Sequence, residues 1–174
     1  MRTMFVNRII RACKLDVNLY EEVEADKSAT IQAAIVVVLS TLALGVGTFF
    51  TYGAINILIP ILASLSGWLI TSLLIYFVGA KLFPDKNTQS SSGELLRVIG
   101  FSYSPGLIRV FGLNSDLLVL TFYLSGIWSL VAMVIATRQA LDYQSTWRAV
   151  GVVVIGFLVQ AIVLIMLLRI FGPS

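Results

Sequence analysis

Long apolar stretches without a charge dominate this chain, and short polar turns separate them. Residues 28–80 form 53 consecutive positions with no charged side chain, and residues 117–137 and 149–168 add uncharged runs of 21 and 20. A bilayer core of about 30 Å takes about 20 apolar helical residues, so the first run is long enough for two crossings and the others for one each. Stretches such as 31–44 and 150–168 have no polar face, which argues against a soluble bundle. They do not alternate apolar with polar, as the strands of a membrane barrel would. The pattern predicts an all-α, polytopic transmembrane helical bundle with spans near 29–50, 54–82, 117–137 and 149–169. Tyr52-Gly53 marks the first turn, and Pro60 falls in the opening turns of the second helix, where a proline costs least.

Residues 95–113 are harder to place. Only 11 uncharged residues separate Arg97 from Arg109, and Ser102-Tyr103-Ser104-Pro105-Gly106 interrupts them. Proline removes an amide and disfavours helix at the preceding residue, so a break is expected at Ser104, Pro105 and Gly106. Eighteen helical residues reach about 27 Å, enough to cross with both arginines extended to opposite interfaces. A re-entrant hairpin fits equally well. Charge bias does not choose: with five crossings or with four, ten of the twelve basic residues fall on the side of the N-terminus. Either count puts the N-terminus in the cytoplasm.

Ahead of the first span, residues 1–27 form a separate segment, and 28–174 the membrane domain. Residues 3–15 read as an amphipathic helix, with Asn7, Arg8, Arg11 and Lys14 on one side and Phe5, Ile9, Ile10, Ala12 and Cys13 mostly on the other. It suits the headgroup plane, basic side towards anionic lipid, or docking on the protein's own cytoplasmic face. Residues 1–15 carry +4 and residues 16–26 carry −5. The acidic run reads as a partner surface or as a solvated linker whose acids favour the following helix N-terminus. Further on, Ser91 and Glu94 have the spacing of a capping box.

Composition agrees: 58% hydrophobic residues and a mean hydropathy of +0.94 exceed what a short soluble domain buries. A net charge of +3 comes from bases scattered at span ends, with no basic patch to suggest nucleic acid. Cys13, the one cysteine, forms no internal disulfide. Histidine is absent, which removes the commonest general base and metal ligand. Every acid lies at a loop or helix end, no phosphate loop occurs, and nothing evident would activate a serine. No enzyme, cofactor or metal is predicted. Two packing features remain. Ser125, Ser129, Ala132 and Ala136 make a small-residue stripe, with Ala43 and Gly47 a weaker pair, suited to close helix approach within the bundle or against a partner. Gln160 sits mid-span, as interhelical glue or as a substrate contact. The break at Pro105 resembles those lining transporter sites, although no second broken segment matches it.

Three stretches carry a family resemblance: Leu15-Asp-Val-Asn-Leu-Tyr-Glu-Glu-Val-Glu-Ala-Asp, Gly100-Phe-Ser-Tyr-Ser-Pro-Gly-Leu, and the run opening Gly126-Ile-Trp-Ser-Leu and reaching Leu141-Asp-Tyr. In this order they resemble the prokaryotic branch of the Yip domain family, named for Ypt-interacting proteins. The resemblance implies five spans, a cytoplasmic N-terminus and residence in a prokaryotic cytoplasmic (inner) membrane. Eukaryotic members are adaptors that bind small GTPases. This chain departs from them in having a short pre-membrane region and Leu19-Tyr20-Glu21-Glu22 in place of an Asp-Leu-Tyr-Gly-Pro type motif, so GTPase binding is not carried over. The expectation is a non-enzymatic adaptor or accessory subunit of a larger membrane assembly, with lipid and another membrane protein as partners. The alternative is a small carrier or channel that uses the broken segment.

Overall fold

The computed structural model describes residues 2–52, 56–86 and 88–171. Two short helices, α1 (Arg2–Cys13) and α2 (Val17–Ala25), precede the bundle helices α3 (Ala29–Tyr52), α4 (Leu58–Tyr76), α5 (Ser92–Ser102), α6 (Ser115–Ala140) and α7 (Thr146–Phe171). Three helical stretches among the described residues are long and apolar enough to cross a membrane: Ala29–Phe50, Leu58–Leu82 and Ser115–Ala140. Thr146–Ile162 is a shorter apolar one. Their outer faces are heavily apolar, with Ile59 and Ile127 about two-thirds exposed, a surface only lipid makes tolerable.

Each boundary has a local cause. The expected turn at Tyr52-Gly53 and the span start at 54 run into residues 53–55, which lie outside the described residues. The described helix begins at Leu58, with Asn56 accepting from the Leu58 amide. Pro60 is then the third helical residue, where no intrahelical donor is needed. At its other end α4 continues as a π-helical turn, Phe77–Leu82, closed by the Phe83 amide on the Val78 carbonyl. In that register the Gly79 carbonyl would await the amide of residue 84, which is proline and has none. The Tyr143 hydroxyl lies 2.8 Å from that carbonyl and 2.7 Å from that of Phe83, and it supplies the missing donor. At the head of α5 the Ser91–Glu94 capping box is present in both directions. Asn114 caps α6.

The broken segment occupies the middle of the bundle. After α5 the chain tightens at Tyr103 into a 3-10 helix, Ser104–Phe111, with Pro105 in its first turn. It then packs against α3 and α6, while α5 packs against α2, α3, α4 and α6. Its direction follows from its glycines. A Cβ on Gly100 would lie 2.5 Å from that of Ala33, and one on Gly106 only 1.9 Å from the Ser40 hydroxyl. One on Gly47 would lie 3.0 Å from the carbonyls of Arg109 and Gly112. The segment therefore advances alongside α3 from one end of the bundle to the other. Polar links bind it sideways: the Trp68 indole of α4 donates to the Leu96 carbonyl at 3.0 Å. A separate link, from Thr41 Oγ1 to Ser64 Oγ at 2.8 Å, ties α3 to α4.

Gly106→Ala is expected to lower stability by about 1–3 kcal/mol, the range of overpacking substitutions. Ser40→Ala in the same chain should restore part of the loss, whereas Gly126→Ala, with nothing within 4 Å of its Cβ, should be close to neutral. Unfolding midpoints in mild detergent report all three.

Candidate functional site

The polar end of the bundle is a folded cap built by α1 and α2. The acidic run, expected as a linker or free surface, is a helix. Asp16 caps it through the Asn18 amide, and Leu19, Tyr20 and Val23 are buried beneath it. Arg8 is 3% exposed, yet it carries a full set of acceptors. Its Nε is 2.8 Å from Glu22, its Nη2 2.8 Å from Asp26, and its Nη1 donates to Gln32 at 3.0 Å. Arg11 pairs with Asp16 at 2.7 Å and also with Glu22. Both arginines thus turn inward onto the neighbouring carboxylates rather than outward to lipid. Lys14 stays exposed, and α1 presents Met4, Val6 and Ile10 outward instead.

These pairs set the acids. The Arg11 guanidinium holds Asp16 below the usual carboxylate range, and Ser28 and Arg8 do the same for Asp26. Burial pushes Glu22 up, but hydrogen bonds from Arg8 and Arg11 outweigh it and leave it lowered. Glu24 behaves oppositely: burial, then the nearby Glu94 and Asp142, push it up to about 7. It lines an acidic recess with Glu21, Ala25, Glu94, Gln139 and Asp142. Below it Arg97, 7% exposed, donates from Nε to the Val23 and Glu24 carbonyls at 3.0 Å each. A cation there satisfies the orphan carbonyls at the end of α2 and suits its dipole. On the far side of the cap Arg148 pairs with Asp85 at 2.8 Å. Among the described residues no group of three or more acids or thiols is placed to hold a metal.

The residues singled out inside the membrane domain are spent mostly on its own packing. Ser125, Ala132 and Ala136 are fully buried, on the helix that packs against α5 and the 3-10 segment. The Ser129 hydroxyl is buried without a partner among the described residues. Ala43 is 7% exposed, and Gly47 lets α3 approach the 3-10 segment and Leu118. Ser104, Pro105 and Gly106 are all buried. Gln160 accepts from Thr71 Oγ1 at 2.6 Å, linking α7 to α4. Arg109 departs from expectation. It does not reach for the far interface; its Nε donates to Ser125 Oγ at 2.6 Å, and its guanidinium lies over the Phe122 ring, 5.1 Å from the centroid. The Ser125 hydroxyl supplies the acceptor that holds it folded inward.

Comparison with known proteins places this arrangement. The Yip1 domain matches residues 18–168, from the start of α2 nearly to the end of α7. No curated protein and no solved structure matches the chain.

Replacing Arg8 by alanine should destabilise the docking of α1 and α2 by about 2 kcal/mol. That is less than for a wholly buried pair, because Glu22 and Asp26 are about a third exposed. Hydrogen exchange of α2 amides is the readout. The same amides should show a two-sided pH dependence. Depressed Asp16, Glu22 and Asp26 contribute stability that is lost as pH falls below about 4. Raised Glu24 adds a cost that grows as pH climbs from its ordinary 4.5 to about 7. Glu24→Gln should flatten the upper limb only.

Proposed function

This chain belongs to the Yip1-domain family, and from that premise we propose that it is an accessory subunit or adaptor of a larger assembly in a prokaryotic cytoplasmic membrane. It is a non-enzymatic, polytopic helical membrane protein. The observation that carries the adaptor reading is the cap. α1 and α2 are docked and charge-compensated at one end of the bundle, and they hold a rigid polar surface with an acidic recess where a partner would meet it. By contrast, interior positions that a pathway would use are taken up by the bundle's own contacts: Gln160 is engaged by Thr71, and Gly106 presses on Ser40. That packing favours the accessory role over a carrier or channel working through the broken segment. GTPase binding is not part of the proposal.

The accompanying topology is five crossings with the cap in the cytoplasm. The advance of residues 100–112 alongside α3 supports it, as does the position of Arg97 at the capped end. The outward Met4, Val6 and Ile10 of α1 suit the acyl boundary, so α1 would rest at the interface on its apolar residues and not on its arginines.

In a Cys13→Ser background, single cysteines at Lys86 and Gln144 should react with an impermeant maleimide from the cytoplasmic side only, and one at Leu113 from the opposite side only. Labelling of Leu113 and Lys86 from the same side would establish the four-crossing hairpin instead. Purification from the native membrane in mild detergent should yield a stoichiometric membrane-protein partner. Isolation as a lone chain, under conditions that preserve known complexes of that membrane, would remove the adaptor reading.

A further inference from the structure

We infer that Arg109 and the outer face of α6 form an intramembrane docking site for a partner's transmembrane helix that carries a carboxylic acid at mid-depth. The inference rests on the accessory-subunit reading and names the chemistry of the partner.

Depth comes first. Ser125, which holds Arg109 Nε, is the eleventh residue of the 26 in α6. The guanidinium carbon lies 3.9 Å from the position of a Gly106 Cβ, which in turn abuts Ser40, the twelfth residue of the 24 in α3. Both neighbours are mid-helix, so the charge sits near the middle of the bundle and about 15 Å from a headgroup. Arginine keeps its proton at any working pH, and a cation at that depth calls for a counter-charge.

The chain does not provide one. Eight of its nine acids, Asp16 through Asp85 and then Glu94 and Asp142, belong to the capped end. The ninth, Asp116, is nine residues before Ser125, about 14 Å along α6. No ion pair with Arg109 occurs among the described residues. Beyond the Nε–Ser125 bond and the Phe122 ring, its two terminal nitrogens have no acceptor there. One face of the cation is covered and its outer edge is left to something outside the chain.

The surface beside it suits a helix. Phe122, which stacks on the guanidinium, is 46% exposed, and Val119, Tyr123 and Leu130 continue the same outward face. Between them Gly126 has nothing within 4 Å of its Cβ position, which leaves a notch where another backbone can come close. A partner helix seated there would bring an Asp or Glu within reach of the free guanidinium edge, matching its paired donors. Depth argues against a lipid phosphate as the usual occupant.

The test uses the full-length protein in phosphatidylcholine vesicles and synthetic single-span Leu/Ala peptides, with association read by energy transfer. A peptide with a central Asp should bind about tenfold more tightly than its central-Leu twin, and Arg109→Gln should erase the difference. A third peptide, with its Asp two turns off centre, should show no gain; this comparison needs only the wild-type chain, so it stands even if the variant misfolds. Equal binding of central-Asp and central-Leu peptides would overturn the inference, as would equal gain from the off-centre Asp. A gain abolished by anionic lipid or by inorganic phosphate would also overturn it, by showing that the guanidinium takes a headgroup or free anion. Failure here leaves the native co-purification untouched, and that experiment judges the accessory role separately.

Discussion

Within a bilayer no water is at hand to take up a stray amide or carbonyl, so every break in a helix must be repaired by the chain itself. The rest of this structure is arranged around that constraint. The break at Pro105 survives because the 3-10 turn that follows is enclosed by α3 and α6, with Gly106 and Gly47 removing the side chains that would hold the backbones apart. The π turn at the end of α4 survives because the Tyr143 hydroxyl lies in hydrogen-bond reach of the Gly79 carbonyl that Pro84 leaves without a partner. At the π turn a proline creates the deficit and a residue distant in sequence closes it; at Pro105 the repair is local, with the Tyr103 and Gly106 amides bonding within the turn.

Electrostatics at the capped end obeys the same economy. Four arginines, Arg8, Arg11, Arg97 and Arg148, are paired with acids or helix carbonyls, so part of the positive charge at this end is taken up within the protein. Lys14, Lys27, Lys81 and Lys86 stay exposed at this end, and the recess around Glu24, Glu94 and Asp142 is a local acidic patch among them. A partner at this end would meet that recess as an acidic patch set among exposed lysines. GTPase-type recognition plays no part in that expectation; the recess chemistry does.

Much of the fold was legible because lipid imposes a crude code. Uninterrupted apolar length marked α3, α6 and α7 to within a few residues, and the capping box and the proline break announced themselves by spacing. The helix at 17–25 was obscured by its acids: five charges in eleven residues read as solvated chain, although Leu19, Tyr20 and Val23 mark a buried face in hindsight. The direction of each arginine was beyond a one-dimensional reading. Arg8 and Arg11 look like a lipid-facing pair until α2 folds back beside them, and Arg109 looks interfacial until Ser125 accepts its Nε inside. The small-residue stripe was visible as a packing face, but only the structure shows that Ser125 on it accepts from Arg109 of the same chain.

The π turn at residues 77–82 carries a consequence for how this protein can vary. A helix advances about 100° per residue, and the wider turn absorbs one extra residue without disturbing the contacts on either side. Removing a single residue there would restore an ordinary helix and swing the Gly79 carbonyl away from the Tyr143 hydroxyl. That would unfasten α4 from the turn that leads into α7. Apart from Gly79, where a Cβ would lie 2.3 Å from Leu141 Cδ1, composition in this stretch is the looser constraint, since the bonds are made by backbone carbonyls. Its length is the tighter one, and insertions and deletions should be far rarer here than substitutions.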